Sequence, residues 1–378
     1  MKRAFSAFAV PRLTYQFVHA QCSRLLYVLC CAALGSIAVS CGSPPSSVET
    51  AREVAQAPLP EYKVVFFIHG DGGYLFHDGE GEKYRADEEA LAGARRVAQR
   101  NTKAEVFIFH EKRRRHVLFI FPRHDGEFYY YRNGQLLAQE SYWRDQGQLR
   151  FDPEIALYNR FRGAERDQAK RLFLYFGHEI PEFDGTGYDA SHRNRAFTIR
   201  DLGEGLKRIA GDSARFDLVV LSTCFNGTPY TISNLSPYAR YIIASPGNLH
   251  LSYLDLRPFE RLDSGLNDGD VAGFAKGCAQ QSFDRLTKDI QTEISVAVYD
   301  VDRVQEYLSS VDSVYKSTLV TFEEREPISV EHCDCADDSA FTRPAMSEGV
   351  AVYFRAARFG RSAHKQSHSG WECPKFTE

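Results

Sequence analysis

Phe216-Asp217-Leu218-Val219-Val220-Leu221-Ser222-Thr223-Cys224 is the stretch on which the reading of this chain turns. Its apolar centre is continuous rather than alternating, as in a strand buried on both faces of a parallel sheet. A second run of the same kind, Leu172-Phe173-Leu174-Tyr175-Phe176-Gly177-His178, stands upstream. One run delivers a thiol at its end and the other an imidazole. In open α/β sheets, function gathers at the carboxyl ends of the strands.

Outward from these two runs, the chain alternates between short β-rich stretches and helical patterns. Lys63 to His69 and Ala104 to His110 read as strands, with a helix over Arg85 to Gln99 in which Ala90, Leu91, Ala94, Val97 and Ala98 recur at spacings of three and four. Asp125-Gly126 and Asn133-Gly134 separate His116 to Pro122, Glu127 to Tyr131 and Gln135 to Glu140, which predicts a three-stranded antiparallel meander. A helix is expected near Pro153 to Arg162, and another opens at Thr198, where Thr198 and Asp201 have capping-box spacing. Strands over Ala239 to Ser245 and Ile294 to Tyr299, helices over Asp270 to Asp289 and Val301 to Ser309, and a last strand over Gly349 to Phe354 complete the rhythm. The implied fold class is α/β: a mostly parallel central sheet covered on both faces, with an antiparallel hairpin insertion.

The chain has 378 residues, 46 basic against 50 acidic, and a formal net charge of −4. That balance gives no electrostatic reason to expect nucleic acid as a partner. The local run Arg113-Arg114-Arg115 reads as a solvated turn between two β-like stretches.

The N-terminus has the pattern of an export signal. Lys2, Arg3, Arg12 and Arg24 precede the uncharged apolar stretch Leu25 to Val39, which is shorter than the roughly 20 residues of a spanning helix. It ends in Ala38-Val39-Ser40-Cys41-Gly42, similar to a bacterial lipobox, although leucine is commoner where Ala38 stands. The expectation is a signal peptide over 1–41, lipidation at Cys41, a flexible Ser/Pro/Ala tether over 42–60, a catalytic-type domain over 61–330 and a C-terminal extension over 331–378. The protein would then be exported and attached to the bacterial membrane through an N-terminal lipid.

Of nine cysteines, Cys22, Cys30 and Cys31 would leave with the signal, and five remain beyond Cys41. Cys333, Cys335 and Cys373 lie in the C-terminal region, where an oxidising compartment permits a structural disulfide. His332 and the pair Cys333 and Cys335 lack the paired spacing of a zinc ribbon or finger, and the tail carrying His364, His368 and Cys373 is expected to be exposed. The sequence calls for no metal and no cofactor, and no spacing in it encodes a calcium requirement.

A thiol becomes a good nucleophile when a nearby imidazole accepts its proton, so His178 and Cys224 on neighbouring strand ends suit a dyad. The strings that carry them resemble the clostripain-like cysteine peptidases. Leu172 to His178 is similar to the strand that delivers that family's catalytic histidine, and Phe216 to Cys224 to the strand that carries its nucleophile. Asp184, Thr186, Asp189, the helix from Thr198, Tyr238 to Ser245 and Glu293 to Asp302 follow the family's order. Asn226-Gly227 after the cysteine also resembles the gingipains of the same clan.

The resemblance implies a caspase-like three-layer sandwich and hydrolysis of polypeptide substrates through a thioester acyl-enzyme. Cys224 would attack and His178 would protonate the leaving amine, with the backbone N–H groups of Cys224 and Glu179 as the oxyanion site. Ser222 and Asp184 would border the substrate pocket. Two positions depart from the family. Glu179 stands where glycine usually follows the histidine, and Ser222 stands where an acidic residue commonly selects basic side chains.

These departures favour a second reading, a degenerate peptidase fold kept as a surface binding protein, whereas the presence of both His178 and Cys224 favours an enzyme. His69-Gly70-Asp71-Gly72-Gly73 could mimic the oxyanion loop of a serine esterase, but the chain has no Gly-x-Ser-x-Gly elbow. His69, Asp71, His110 and His178 could converge on a metal, though no spacing enforces it.

Overall fold

The computed structural model describes residues 59–70, 75–77, 83–112, 116–117, 121–144, 149–163, 169–182, 197–211, 214–248, 254–266, 270–324 and 330–376. Cys41, the signal, the tether up to residue 58, Asp71, the Arg113 to Arg115 run, Asp184, Thr186 and Asp189 lie outside these residues.

In chain order the strands are β1 (Tyr62–His69), β2 (Leu75–His77), β3 (Lys83–Arg85), β4 (Ala104–Glu111), β5 (His116–Val117), β6 (Phe121–Pro122), β7 (Gly126–Arg132), β8 (Gln135–Tyr142), β9 (Lys170–Phe176), β10 (Phe216–Ser222), β11 (Ala239–Ala244), β12 (Ile294–Asp300), β13 (Val330–Asp334), β14 (Val350–Arg355) and β15 (Glu372–Phe376). The helices are α1 (Ala86–Arg100), α2 (Asp152–Phe161), α3 (Ile199–Ala210), α4 (Pro229–Leu235), α5 (Leu262–Gly265), α6 (Val271–Asp289) and α7 (Gln305–Glu324).

Nine strands form one sheet in the order β14-β12-β11-β10-β9-β1-β4-β7-β8. The central five, from β11 to β4, are parallel, and an antiparallel pair closes each side. Successive side chains of a strand point to opposite faces, so each central strand feeds two cores. In β9, Phe173 and Tyr175 join one core while Leu172, Leu174 and Phe176 join the other. α2, α3, α4 and α7 cover the first face, and α1 and α6 the second. This is a mostly parallel α/β sandwich of three layers, as the periodicity implied. Burying each such Leu or Phe contributes about 1.5–3 kcal/mol.

Local chemistry fixes the ends of the elements near the site. The α3 start carries the capping box read from the sequence: Thr198 Oγ1 accepts from Asp201 N–H at 3.3 Å, and Asp201 Oδ2 accepts from Thr198 N–H at 2.7 Å. Asn133 and Gly134, with φ of 52° and 79°, make the β7–β8 hairpin turn.

Four expectations are corrected. His116 to Pro122 does not join β7 and β8 in a meander. Its described ends form a small hairpin of their own, β5 with β6, and β7 pairs with β4. Asp125-Gly126 is no hairpin turn because Asp125 is buried, its Oδ1 accepting from Arg144 N–H at 3.0 Å. The helix expected over Val301 to Ser309 begins only at Gln305 and runs to Glu324, since Arg303 and Val304 N–H both turn back onto the Asp300 carbonyl. The segment beyond β14 is not an exposed tail. Trp371 is fully buried, β15 pairs with β13, and a disulfide joins Cys335 to Cys373.

Candidate active site

β9 and β10 lie side by side in parallel register, with Phe176 opposite Ser222. Gly177 N–H reaches the Ser222 carbonyl at 3.4 Å, carrying the ladder one step past the strand end. His178 and Cys224 each follow two residues beyond the paired position, and both are half-buried. The strand geometry therefore brings an imidazole and a thiol out at the same level of the same sheet edge. Gly177 is needed for close packing, because a Cβ there would lie 2.8 Å from the Tyr175 hydroxyl and 3.1 Å from His69 Cβ.

The loop after Cys224 is held from several sides. Phe225 adopts the left-handed region, φ 49°, a strained conformation for a bulky residue that surrounding bonds must impose. Its N–H donates to the Gly247 carbonyl at 3.1 Å, and Gly227 N–H donates to the Ser245 carbonyl at 2.9 Å. Cys224 Sγ donates to Asn248 Oδ1 at 3.1 Å, so the loop leaving β11 touches the thiol directly. Asn226 is fully buried; its Oδ1 accepts from Ile180 N–H at 3.0 Å and from Thr223 Oγ1 at 2.7 Å, and its Nδ2 donates to the Ile180 carbonyl at 2.9 Å.

The C-terminal ribbon forms the other wall. The His332 ring stacks on Phe225 with centroids 4.1 Å apart and planes 10° from parallel. Glu372 N–H donates to the Gly227 carbonyl at 3.0 Å, and His332 Nδ1 contacts the buried Glu372 carboxyl. Burial pushes the Glu372 carboxyl well up and lowers His332.

Glu179 joins this patch. Burial pushes its carboxyl up to about 7, against the pull of His332 and with the push of Glu182. Burial also raises Glu182, although Thr228, Thr231 and Tyr315 hydroxyls donate to it. Glu179 thus sets a carboxyl that titrates near neutrality beside His178.

Ser222 is fully buried, and its Oγ accepts from Leu254 N–H at 3.1 Å. It ties β10 to the segment before α5 and is closed to solvent, where the sequence placed it at a pocket border. His69 and His110 face carboxylates of their own, Glu111 at 3.3 Å and Asp87 at 3.1 Å. Among the described residues no three His, Cys, Asp or Glu side chains gather as a metal site, and Asp71 lies outside those residues. Cys278 is buried on α6, and burial raises its thiol far above the usual range.

Asn248, Glu372 and the bonding of Asn226 escape the sequence reading, and His332 figures there only as a candidate metal ligand. Asn248 and Glu372 meet Cys224 and its loop only through tertiary contacts, and carry no local signal. Asn226 did stand in a noticeable Asn-Gly pair, but its partner Ile180 is 46 residues away.

The clostripain family model matches residues 176–348, a span that includes both His178 and Cys224. No curated protein matches the sequence. Among solved structures, an inactive zymogen C11 protease from Parabacteroides distasonis superposes with a TM-score of 0.55 at 12% identity, over 84% of this chain and 92% of that one. A secreted C11 cysteine protease from Bacteroides thetaiotaomicron, solved with an irreversible peptide inhibitor, gives a TM-score of 0.49 at 14% identity, over 68% of this chain and 70% of that one. The zymogen shares the fold of this chain, and over residues 176–348 the sequence is similar to the clostripain family.

Proposed function

We propose that this protein is an exported cysteine endopeptidase in which Cys224 and His178 act as a dyad. The observation that carries the reading is the Phe176–Ser222 register, from which both side chains emerge two residues later on one sheet edge. His178 takes the thiol proton, and the Cys224 thiolate attacks the scissile carbonyl. The tetrahedral oxyanion forms against the N–H groups of Cys224 and Glu179. As it collapses, the C–N bond breaks and His178 protonates the departing amine. Water, deprotonated by His178, then attacks the thioester and releases the acid with return of the thiol.

Two features support export: the uncharged apolar stretch that ends at Cys41, and the Cys335–Cys373 disulfide, a bond that persists in oxidising compartments. Lipid on Cys41 would hold the protein at the bacterial membrane. Incorporation of labelled palmitate, present in the parent and lost in Cys41→Ala, tests the anchor.

Hydrolysis of a mixed fluorogenic peptide library tests the activity. Cleavage abolished by both Cys224→Ala and His178→Ala supports the endopeptidase. Cleavage that survives either substitution contradicts the dyad, and binding of peptides without cleavage by any form favours a catalytically degenerate binding protein.

A further inference from the structure

Resting on the dyad reading, we infer that Asn226 is a positioning residue that sets His178 against Cys224. The two loops are joined on both sides of the dyad. Before it, Phe176 pairs with Ser222 and Gly177 N–H reaches the Ser222 carbonyl. After it, Asn226 meets Ile180, two residues past Cys224 and two past His178.

The Asn226 side chain behaves there as a peptide unit would. Its amide accepts from Ile180 N–H at 3.0 Å and donates to Ile180 carbonyl at 2.9 Å, a closed two-bond rung made by a side chain where the strands have already ended. Thr223 Oγ1 donates to the same Oδ1 at 2.7 Å and fixes which way the amide faces. Asn226 has no exposed surface, so water cannot replace these bonds when they are lost. Only three residues of each loop, 177–179 and 223–225, lie between the two joints, which leaves His178 and Cys224 little freedom to part. Displacement of a reacting group by about 1 Å costs on the order of a hundredfold in rate.

The test is alkylation of the full protein by iodoacetamide across about pH 5–9, with the modified cysteine located by mass spectrometry. The parent, His178→Ala, Asn226→Ala, Asn226→Asp and the double variant His178→Ala/Asn226→Ala are compared. Asn226→Ala is expected to slow Cys224 labelling near neutral pH by roughly tenfold to a hundredfold, and to add nothing once His178 is gone. Asn226→Asp should approach the parent at the acid end, where a protonated carboxyl still donates to the Ile180 carbonyl. It should fall towards Asn226→Ala as the carboxyl ionises. That acid-side recovery is a signature that loss of stability does not give, and it is readable even if Asn226→Ala fails to fold.

A profile for Asn226→Ala that superimposes on the parent's overturns the inference and leaves the dyad standing. So does an equal loss in the presence and absence of His178. Labelling indifferent to His178→Ala removes the dyad, and the inference with it.

Discussion

Cys224 Sγ lies 3.1 Å from Asn248 Oδ1, so the thiol at the end of β10 is met by an amide from the loop leaving β11. The candidate site is built from three neighbouring strands: β10 leads to the thiol, β9 to the imidazole and β11 to the loop that meets the thiol. The C-terminal ribbon adds a fourth support through the His332 ring on Phe225. Each support makes a separate prediction.

Ser222 acts as a structural anchor. Ser222→Ala leaves Leu254 N–H without its acceptor and should cost about 1–3 kcal/mol. The side-chain preference at the cleaved bond should stay unchanged, because the hydroxyl is fully buried and held by Leu254 N–H. Chemical denaturation and a peptide-library profile measure the two effects.

Glu179 makes stability depend on pH. Its carboxyl is raised from 4.5 to about 7, so its stabilising contribution is fully present below 4.5 and lost as pH rises through about 7. Melting temperature should therefore fall between about pH 4.5 and 7, and fall less in Glu179→Gln. Part of the slope should remain, since Glu182 and Glu372 are raised in the same direction.

The Cys335–Cys373 disulfide closes a separation of 38 residues, for which loop-closure entropy gives about 4 kcal/mol. The Cys335→Ala/Cys373→Ala variant should melt roughly 8 °C lower by calorimetry. Activity should fall as well, since Glu372, next to the bridge, holds the Gly227 carbonyl.

Gly227 leaves no room for a side chain. A Cβ there would lie 2.6 Å from both Pro246 N and the Tyr299 hydroxyl. Gly227→Ala should cost about 1–3 kcal/mol through overpacking. It should also slow peptide cleavage, because the shift falls on the loop that carries Cys224.

Much of the sheet was legible because buried parallel strands announce themselves as unbroken apolar runs. Leu172 to Phe176 and Leu218 to Leu221 could hardly be placed elsewhere, and both candidate side chains follow directly from their ends. The errors came where pairing is decided at a distance. Asp125-Gly126 looks like a hairpin turn, but β7 finds a better partner in β4, and Tyr142 fills the space above Gly126. β15 went unseen because Glu372-Cys373-Pro374-Lys375-Phe376 has little strand propensity, and its place is fixed by the disulfide and by Trp371 beneath it. The braces around Cys224 were hidden for the same reason, since Asn248 and Glu372 are brought to it only by the folded chain.

The most direct test of the account is intact-mass analysis after exposure to a peptidyl acyloxymethyl ketone, an electrophile that needs an activated thiolate. The account expects one adduct, mapped to Cys224 and absent from Cys278 and Cys333, with His178→Ala slowing its formation by about a hundredfold or more. An adduct that forms equally fast without His178, or that maps to another cysteine, would contradict it.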